Sequence, residues 1–139
     1  MAKINLTQED RQALRCVRSQ VILVHSLSER LRREETDGVR SVTADGLPRG
    51  RGGVPGGLDA RMAKVEGLRR IVERESAELR RLERRARRAM DGMKPELYGF
   101  CVTYYVGGMS MEDAGETIGR SLSQCKRYRR EIEGAEDGD

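Results

Sequence analysis

A short segment near the C-terminus concentrates side chains that donate strong hydrogen bonds. Gln124, Lys126, Arg127 and Arg130 fall within it. The planar guanidinium group of arginine matches phosphate groups and the guanine edge, and the amide of glutamine matches the adenine edge. Lysine binds phosphate as a point charge. These residue types have the chemistry to bind a nucleic acid, provided that one rigid element presents them together.

The residues around this segment predict a helix. Ser121-Leu122-Ser123-Gln124 has the form of a capping box, in which Gln124 is expected to reach back to the Ser121 amide. Cys125, Tyr128 and Ile132 recur at helical spacing and predict the buried face. The polar residues that fall away from that face are Ser123, Gln124, Lys126, Arg127 and Arg130.

Two further short helices are predicted before this one. Pro95 suits a first helical position, and Gly107-Gly108 ends the helix. Its expected inner face consists of Leu97, Cys101 and Tyr105, with Tyr98 and Val102 beside them. Ser110-Met111-Glu112-Asp113 predicts the cap of a next helix that reaches Ile118. Gly119-Arg120 then turns the chain.

Three short helices with a tight turn between the last two follow the plan of a helix-turn-helix. In that plan the second helix crosses the DNA backbone and the third enters the major groove. Gln124 or Arg127 on a base would discriminate by about 1–3 kcal/mol, whereas Lys126 or Arg120 on a phosphate would add affinity without sequence preference. Ser121 is expected to cap the helix and to offer terminal amides to a phosphate. The alternative, that the three helices only cap the end of a coiled coil, stays open.

Two long amphipathic helices are predicted in front of the short ones. The first begins at Thr7-Gln8-Glu9-Asp10 and runs to about Glu35. Its apolar residues recur at heptad-like spacing: Leu14, Val17, Val21, Val24 and Leu31. The second runs from about Asp59 to Met90 with a similar stripe: Met62, Val65, Leu68, Val72, Leu79, Leu82, Ala86 and Met90. The stripes predict an antiparallel coiled-coil hairpin, and because two chains would bury them equally well, a homodimer stays open.

Between the long helices, residues 36–58 are rich in glycine and include Pro48 and Pro55, which predicts a loop. Its Arg-Gly tract is interpreted as a flexible connector, with nucleic-acid contact as the alternative. The predicted fold class is therefore all-α, with helical arms over residues 1–91 and a helix-turn-helix head over residues 92–139 that ends in a short acidic tail. Gly92 is expected to cap the second arm in a left-handed conformation.

The end of the second arm, from Arg80 to Arg88, holds six arginines against one acidic residue. Two interpretations stay open for it: contact with a DNA backbone beside the head, and a solvated charged face.

The composition agrees with extended helices and an anionic partner. Hydrophobic residues make up 37% of the chain and aromatic residues 4%, against 36% charged, which is too little bulky apolar matter for one large core. The net charge is +4, and 23 of the 27 basic residues are arginine. This arginine bias fits phosphate binding, although a GC-rich genome would produce it as well.

The residues give no support for catalysis, metal binding or membrane insertion. His25 is the single histidine, and the three cysteines, Cys16, Cys101 and Cys125, lack the spacing of metal ligands. We therefore expect no enzyme activity and no cofactor. No apolar run approaches the roughly 20 residues that cross a bilayer, and no signal-peptide hydrophobic region is found. A cytoplasmic protein with reduced thiols and no membrane partner is expected.

The stretch from Tyr104 to Ser121 resembles a known motif. With its Gly107-Gly108, Ser110 and Gly119-Arg120, it looks like the region-four motif of sigma factors, usually read as Y-x-x-G-x-S-x-x-E-I-A-x-x-L-G-x-S. The order of long helix, Leu-Pro-Arg-Gly loop, second long helix and C-terminal head is similar to that of phage-encoded transcriptional regulators of the ArpU/RinA-like group.

The sequence departs from that motif at two neighbouring positions. Ala114 stands where the family usually has a larger aliphatic residue, and Gly115 stands where it has alanine. We expect a smaller core and a second helix weaker by about 1 kcal/mol.

The resemblance implies a sequence-specific transcriptional regulator of a phage or prophage, acting on double-stranded promoter DNA in the bacterial host cytoplasm without catalysis or cofactor. By position, it implies DNA-facing roles for Leu122, Ser123, Lys126 and Arg127. RNA polymerase stays open as a further partner. The alternatives are a ring-forming, small-terminase-like DNA-packaging protein, and an interaction protein that holds RNA polymerase through its arms.

Overall fold

In the computed structural model, the described backbone covers residues 6–44 and 55–134, and the described side chains cover residues 6–37 and 59–134. All regular structure in these ranges is helical, which confirms the all-α class. The helices are α1 (Gln8–Ala44), α2 (Pro55–Ala89), α3 (Pro95–Phe100), α4 (Met111–Ile118) and α5 (Leu122–Glu133). A π-helical segment, Cys101–Val106, continues α3 without a break.

Both long helices extend further than the sequence pattern predicted. Helix α1 continues past Glu35 to Ala44, and α2 already begins at Pro55, so the predicted loop at residues 36–58 is too long. Each residue added to an existing helix gains a backbone hydrogen bond, and a single glycine costs only about 1 kcal/mol relative to alanine. Pro55 occupies a first helical position, where its missing amide has no intrahelical partner to lose. The centre of the predicted loop, residues 45–54, and the acidic tail at 135–139 lie outside the described residues.

The chain divides into two compact units. Among the described residues, the first unit comprises residues 6–22 and 78–134. The second unit comprises those between Leu23 and Ala77. A stretch of each long helix therefore belongs to each unit. The first unit combines its stretches with the three short helices, and the boundary between arms and head at residues 91 and 92 stays a prediction.

In the first unit, the early part of α1 packs against the late part of α2. Leu14 and Val17 of α1 are fully buried and share one hydrophobic core with Leu82, Ala86 and Met90. These are positions of the two predicted stripes. Thr7 opens α1 with a reciprocal cap, as its hydroxyl accepts from the Asp10 amide at 3.0 Å and its own amide donates to the Asp10 carboxylate at 3.2 Å.

In the second unit, residues late in α1 meet residues early in α2. Lys64 Nζ lies 3.3 Å from Glu34 Oε2, and Arg69 Nη2 lies 2.8 Å from Glu35 Oε2. Leu68 is buried there, whereas Met62, which was predicted in the same stripe, is 61% exposed. The two long helices thus pack against each other in both units, as an antiparallel hairpin requires.

Candidate functional site

The three short helices pack around a cluster of four aromatic rings. Phe100 stacks on Tyr104 at 5.1 Å between ring centroids and lies 5.7 Å from Tyr128 of α5. Tyr104 and Tyr105 meet edge to face at 4.9 Å. Each such pair adds about 0.5–1.5 kcal/mol beyond the area it buries. The cluster therefore fixes α5 against α3 and the π-helical segment.

The inner face predicted for α3 and its continuation was incomplete. Leu97, Cys101 and Tyr105 are buried as predicted, and Phe100 and Tyr104 join them at the i+3 and i+7 positions of the same helical stripe. Tyr98, predicted beside this face, is 40% exposed, so that assignment is wrong.

Helices α4 and α5 are each opened by a serine cap, as the sequence predicted. The Ser110 hydroxyl accepts from the Asp113 amide at 3.1 Å, and the Ser121 hydroxyl accepts from the Gln124 amide at 3.2 Å. Gly119 ends α4 in the left-handed conformation with φ of 73°. The chain thus passes from α4 to α5 within three residues, Gly119, Arg120 and Ser121.

Close packing at the turn depends on Gly115. A Cβ atom at this position would lie 2.7 Å from the Arg120 carbonyl oxygen and 3.1 Å from Cys125 Sγ. Ala114 beside it is fully buried. The small pair that departs from the sigma motif is therefore the contact surface between α4, the turn and α5.

Gln124 does not complete the predicted capping box. Its side-chain amide instead donates toward the Tyr128 hydroxyl at 3.4 Å, and the residue is half-buried. An i,i+4 partner along the same helix holds this side chain beside the aromatic cluster. It is consequently less accessible than the other polar residues of α5.

The outward surface of α5 carries Ser123, Lys126, Arg127 and Arg130, which we call the polar face of α5. All four are exposed, and they follow the i, i+3, i+4, i+7 spacing that aligns residues along one side of a helix. The opposite side, formed by Cys125, Tyr128 and Ile132, is buried. Neither Lys126, Arg127 nor Arg130 forms an ion pair with another described residue.

The other predicted site residues surround the start of α5. Arg120 lies in the turn, with Nη2 3.6 Å from Glu96 Oε2 and with 44% of its side chain exposed. Ser121 is exposed but uses its hydroxyl for the cap. Leu122 is 39% exposed.

Two arginines of α1 hold the short helices, and the sequence interpretation missed them. Arg18 donates to the carbonyl oxygens of Tyr104 and Met109, and its guanidinium carbon lies 3.8 Å from the centroid of the Tyr104 ring. Arg11 donates to the carbonyl oxygen of Ile132 at 3.1 Å, in the last turn of α5. A cation there satisfies an orphan carbonyl and complements the helix dipole. Their spacing of seven residues, which places both arginines on the same side of α1 as Leu14, is the sequence signal that could have identified them.

A partly buried hydrogen bond also holds the end of α5. The Tyr105 hydroxyl donates to the Glu133 carboxylate at 2.6 Å, and Arg129 Nε approaches the same oxygen at 3.5 Å. Burial, followed by the bond to Glu133, raises the pKa of Tyr105 above its ordinary value. Tyr105 therefore stays protonated and acts as a donor.

Among the described residues, no three His, Cys, Asp or Glu side chains come together in an arrangement that suits a metal ion. No helix in the same residues combines the length and apolar character that a membrane span needs.

Comparison with family models, with curated proteins and with solved structures finds no match to this chain.

Proposed function

We propose that the chain is a sequence-specific DNA-binding transcriptional regulator of a phage or prophage, and that α5 is its recognition helix. The observation that carries this proposal is the polar face of α5. Its three cations have no carboxylate partner among the described residues, although the helix is locked in place from its opposite side. A rigid helix with free donors meets the geometric requirement for insertion into a major groove.

The connection to α4 supports the same proposal. A three-residue turn between two capped helices, with small residues at their closest approach, is the arrangement that helix-turn-helix proteins use. The N-terminal residues of a recognition helix usually reach the base edges, so Ser123 and Arg127 of α5 are the proposed base-contacting residues. Lys126, Arg130 and Arg120 are assigned to phosphates. Gln124 is assigned a secondary role because it is half-buried beside Tyr128.

The test begins with selection of sequences from a random double-stranded DNA library by the full-length protein. Affinity is then measured for the selected sequence and for a scrambled one. Arg127→Ala is expected to weaken binding to the selected sequence roughly 5- to 150-fold, the equivalent of one bidentate base contact. Lys126→Ala is expected to weaken binding to both sequences equally, because a phosphate contact carries no sequence information.

Arg70→Ala serves as the control, since this exposed arginine belongs to the other compact unit. Wild-type affinity of Arg127→Ala and Lys126→Ala for the selected sequence would exclude α5 as the recognition helix. Absence of any selected sequence, together with weak binding to all DNA, would overturn the regulator proposal. A ring of eight or more subunits in solution would instead favour the DNA-packaging alternative.

A further inference from the structure

We infer that the last turns of α2 form a second DNA-binding surface, which holds the phosphate backbone of the duplex that α5 reads. The surface consists of Arg80, Arg84, Arg87 and Arg88, which we call the arginine ridge. This inference rests on the proposed function, because it assigns a further contact to the same DNA. It goes beyond that proposal by adding an interface outside the three short helices.

The arginine ridge lies on the side of α2 that faces away from the core. Leu82 and Ala86 are buried, and the residues of the ridge fall on the opposite side of the helix by the 3.6-residue period. All four arginines are exposed. The ridge is therefore accessible to a large partner.

The ridge concentrates four arginines that have no carboxylate partner among the described residues, whereas several other arginines on the long helices pair with an acid. Arg81, beside the ridge, bonds Glu78 at 2.5 Å, and that hydrogen bond lowers the pKa of Glu78. Arg32 and Arg69 likewise pair with acids three residues earlier. No residue of the ridge forms an ion pair within the described part of the chain.

The helix dipole explains only part of this arrangement. Arg87 and Arg88 lie in the last turn of α2, where cations are favoured. Arg80 and Arg84 lie further from the helix end, and like charges four residues apart repel each other. Repulsion between these arginines destabilises the helix, and a bound polyanion would neutralise that repulsion.

The ridge is rigidly attached to the unit that contains α5. Ala86 and Met90 are fully buried in the same hydrophobic core as Tyr128 and Ile132 of α5. Both basic surfaces consequently belong to one body. A duplex that contacts both surfaces would therefore cause little additional loss of conformational entropy in the chain.

The size of the ridge favours duplex DNA over an acidic protein segment. At a rise of 1.5 Å per residue, the ridge extends about 12 Å along α2. One DNA strand places a phosphate about every 3.4 Å along the helix axis, so several phosphates fall within that length. Arginine suits such sites because its guanidinium group binds phosphate oxygens through two parallel hydrogen bonds.

The experiment compares Arg84→Gln/Arg88→Gln with Arg33→Gln/Arg70→Gln in the full-length protein. Both double variants remove two positive charges, but the second removes them from exposed positions in the other compact unit. Affinity is measured against salt concentration on the selected and the scrambled DNA. The slope of log K against log salt is expected to become shallower by about 1.8 in the ridge variant and to stay at the wild-type value in the control.

The ratio of affinities for the two DNA sequences separates the possible outcomes. The ridge variant is expected to keep the wild-type ratio, because backbone contacts carry no sequence information. If the wild-type protein binds DNA and the ridge variant keeps the wild-type salt slope, the ridge does not contact DNA. That result would overturn this inference alone and favour an acidic protein partner. Absence of DNA binding by the wild-type protein would overturn both proposals. A loss of sequence discrimination in the ridge variant would contradict a purely phosphate-binding role.

Discussion

The guanidinium group of Arg18 lies over the ring of Tyr104 and also bonds the carbonyl oxygen of that same residue. The guanidinium carbon is 3.8 Å from the ring centroid, and the bond to the carbonyl oxygen measures 2.5 Å. A further bond of 2.9 Å reaches the carbonyl oxygen of Met109. One side chain of α1 thus binds both the π-helical segment and the connection that leads into α4.

Replacement of Arg18 by alanine is expected to lower the free energy of unfolding by about 3 kcal/mol. Hydrogen bonds from a charged donor contribute about 1.5–3 kcal/mol, and a cation–π contact adds about 0.5–2 kcal/mol. Urea unfolding followed by circular dichroism measures the change. Arg15→Ala is the control, since Arg15 bonds the side chain of the neighbouring Gln12 on the same helix. Equal stability of the two variants would show that Arg18 does not hold the short helices.

Gly115→Ala is expected to destabilise the protein by about 1–2 kcal/mol, even though alanine favours helices. The added Cβ would lie 2.7 Å from the Arg120 carbonyl oxygen, and overpacking of this kind costs about 1–3 kcal/mol. Gly67→Ala in α2 is the matched control, because its added Cβ would meet no described atom within 4 Å apart from the neighbouring backbone of its own helix. The control is expected to gain about 0.5–1 kcal/mol. Thermal unfolding of both variants measures the difference, and stabilisation by Gly115→Ala would contradict the close approach.

The sequence predicts local and periodic interactions, but it does not predict contacts between residues far apart in the chain. The caps at Ser110 and Ser121 and the stripe through Leu14 and Val17 were predictable, because the interactions are local or periodic. The bond from Arg18 to Tyr104 joins residues 86 positions apart, and no local pattern signals it.

Two further differences arise from single-residue effects. The π-helical segment, Cys101–Val106, adds one residue to a turn, which helical periodicity does not anticipate. Gln124 had two partners available, the Ser121 amide and the Tyr128 hydroxyl, and only the packed helix decides between them. The polar face of α5 was predictable because its outward direction follows from the buried residues alone.

Loss of the α5 cap in Ser121→Ala is expected to lower stability by about 1 kcal/mol. The Ser121 hydroxyl accepts from the Gln124 amide, which otherwise loses its partner at the helix start. Ser123→Ala is the control, because Ser123 is exposed inside the helix, where alanine is slightly favoured. Guanidinium chloride unfolding compares the two. A loss in Ser123→Ala as large as that in Ser121→Ala would argue against the capping role.

Alkaline pH is expected to weaken the fold through Cys101. Burial raises the pKa of this thiol from its usual 9.0 to about 12, so the folded state favours the protonated form. The stability from this shift is fully present below pH 9 and is lost as pH rises toward 12, because the unfolded chain ionises first. Between about pH 8 and pH 10, one such thiol lowers the free energy of unfolding by about 1.4 kcal/mol.

Denaturant unfolding at these two pH values measures the effect in the wild type and in Cys101→Ala. The variant is expected to lose about 1.4 kcal/mol less than the wild type over the interval, since it lacks the titrating thiol. Val106→Ala controls for weakened packing, because it removes apolar volume from the same core and retains Cys101. Its pH dependence is expected to match that of the wild type. If Cys101→Ala and Val106→Ala respond identically to pH, the Cys101 thiol is not the group that links the fold to alkaline titration.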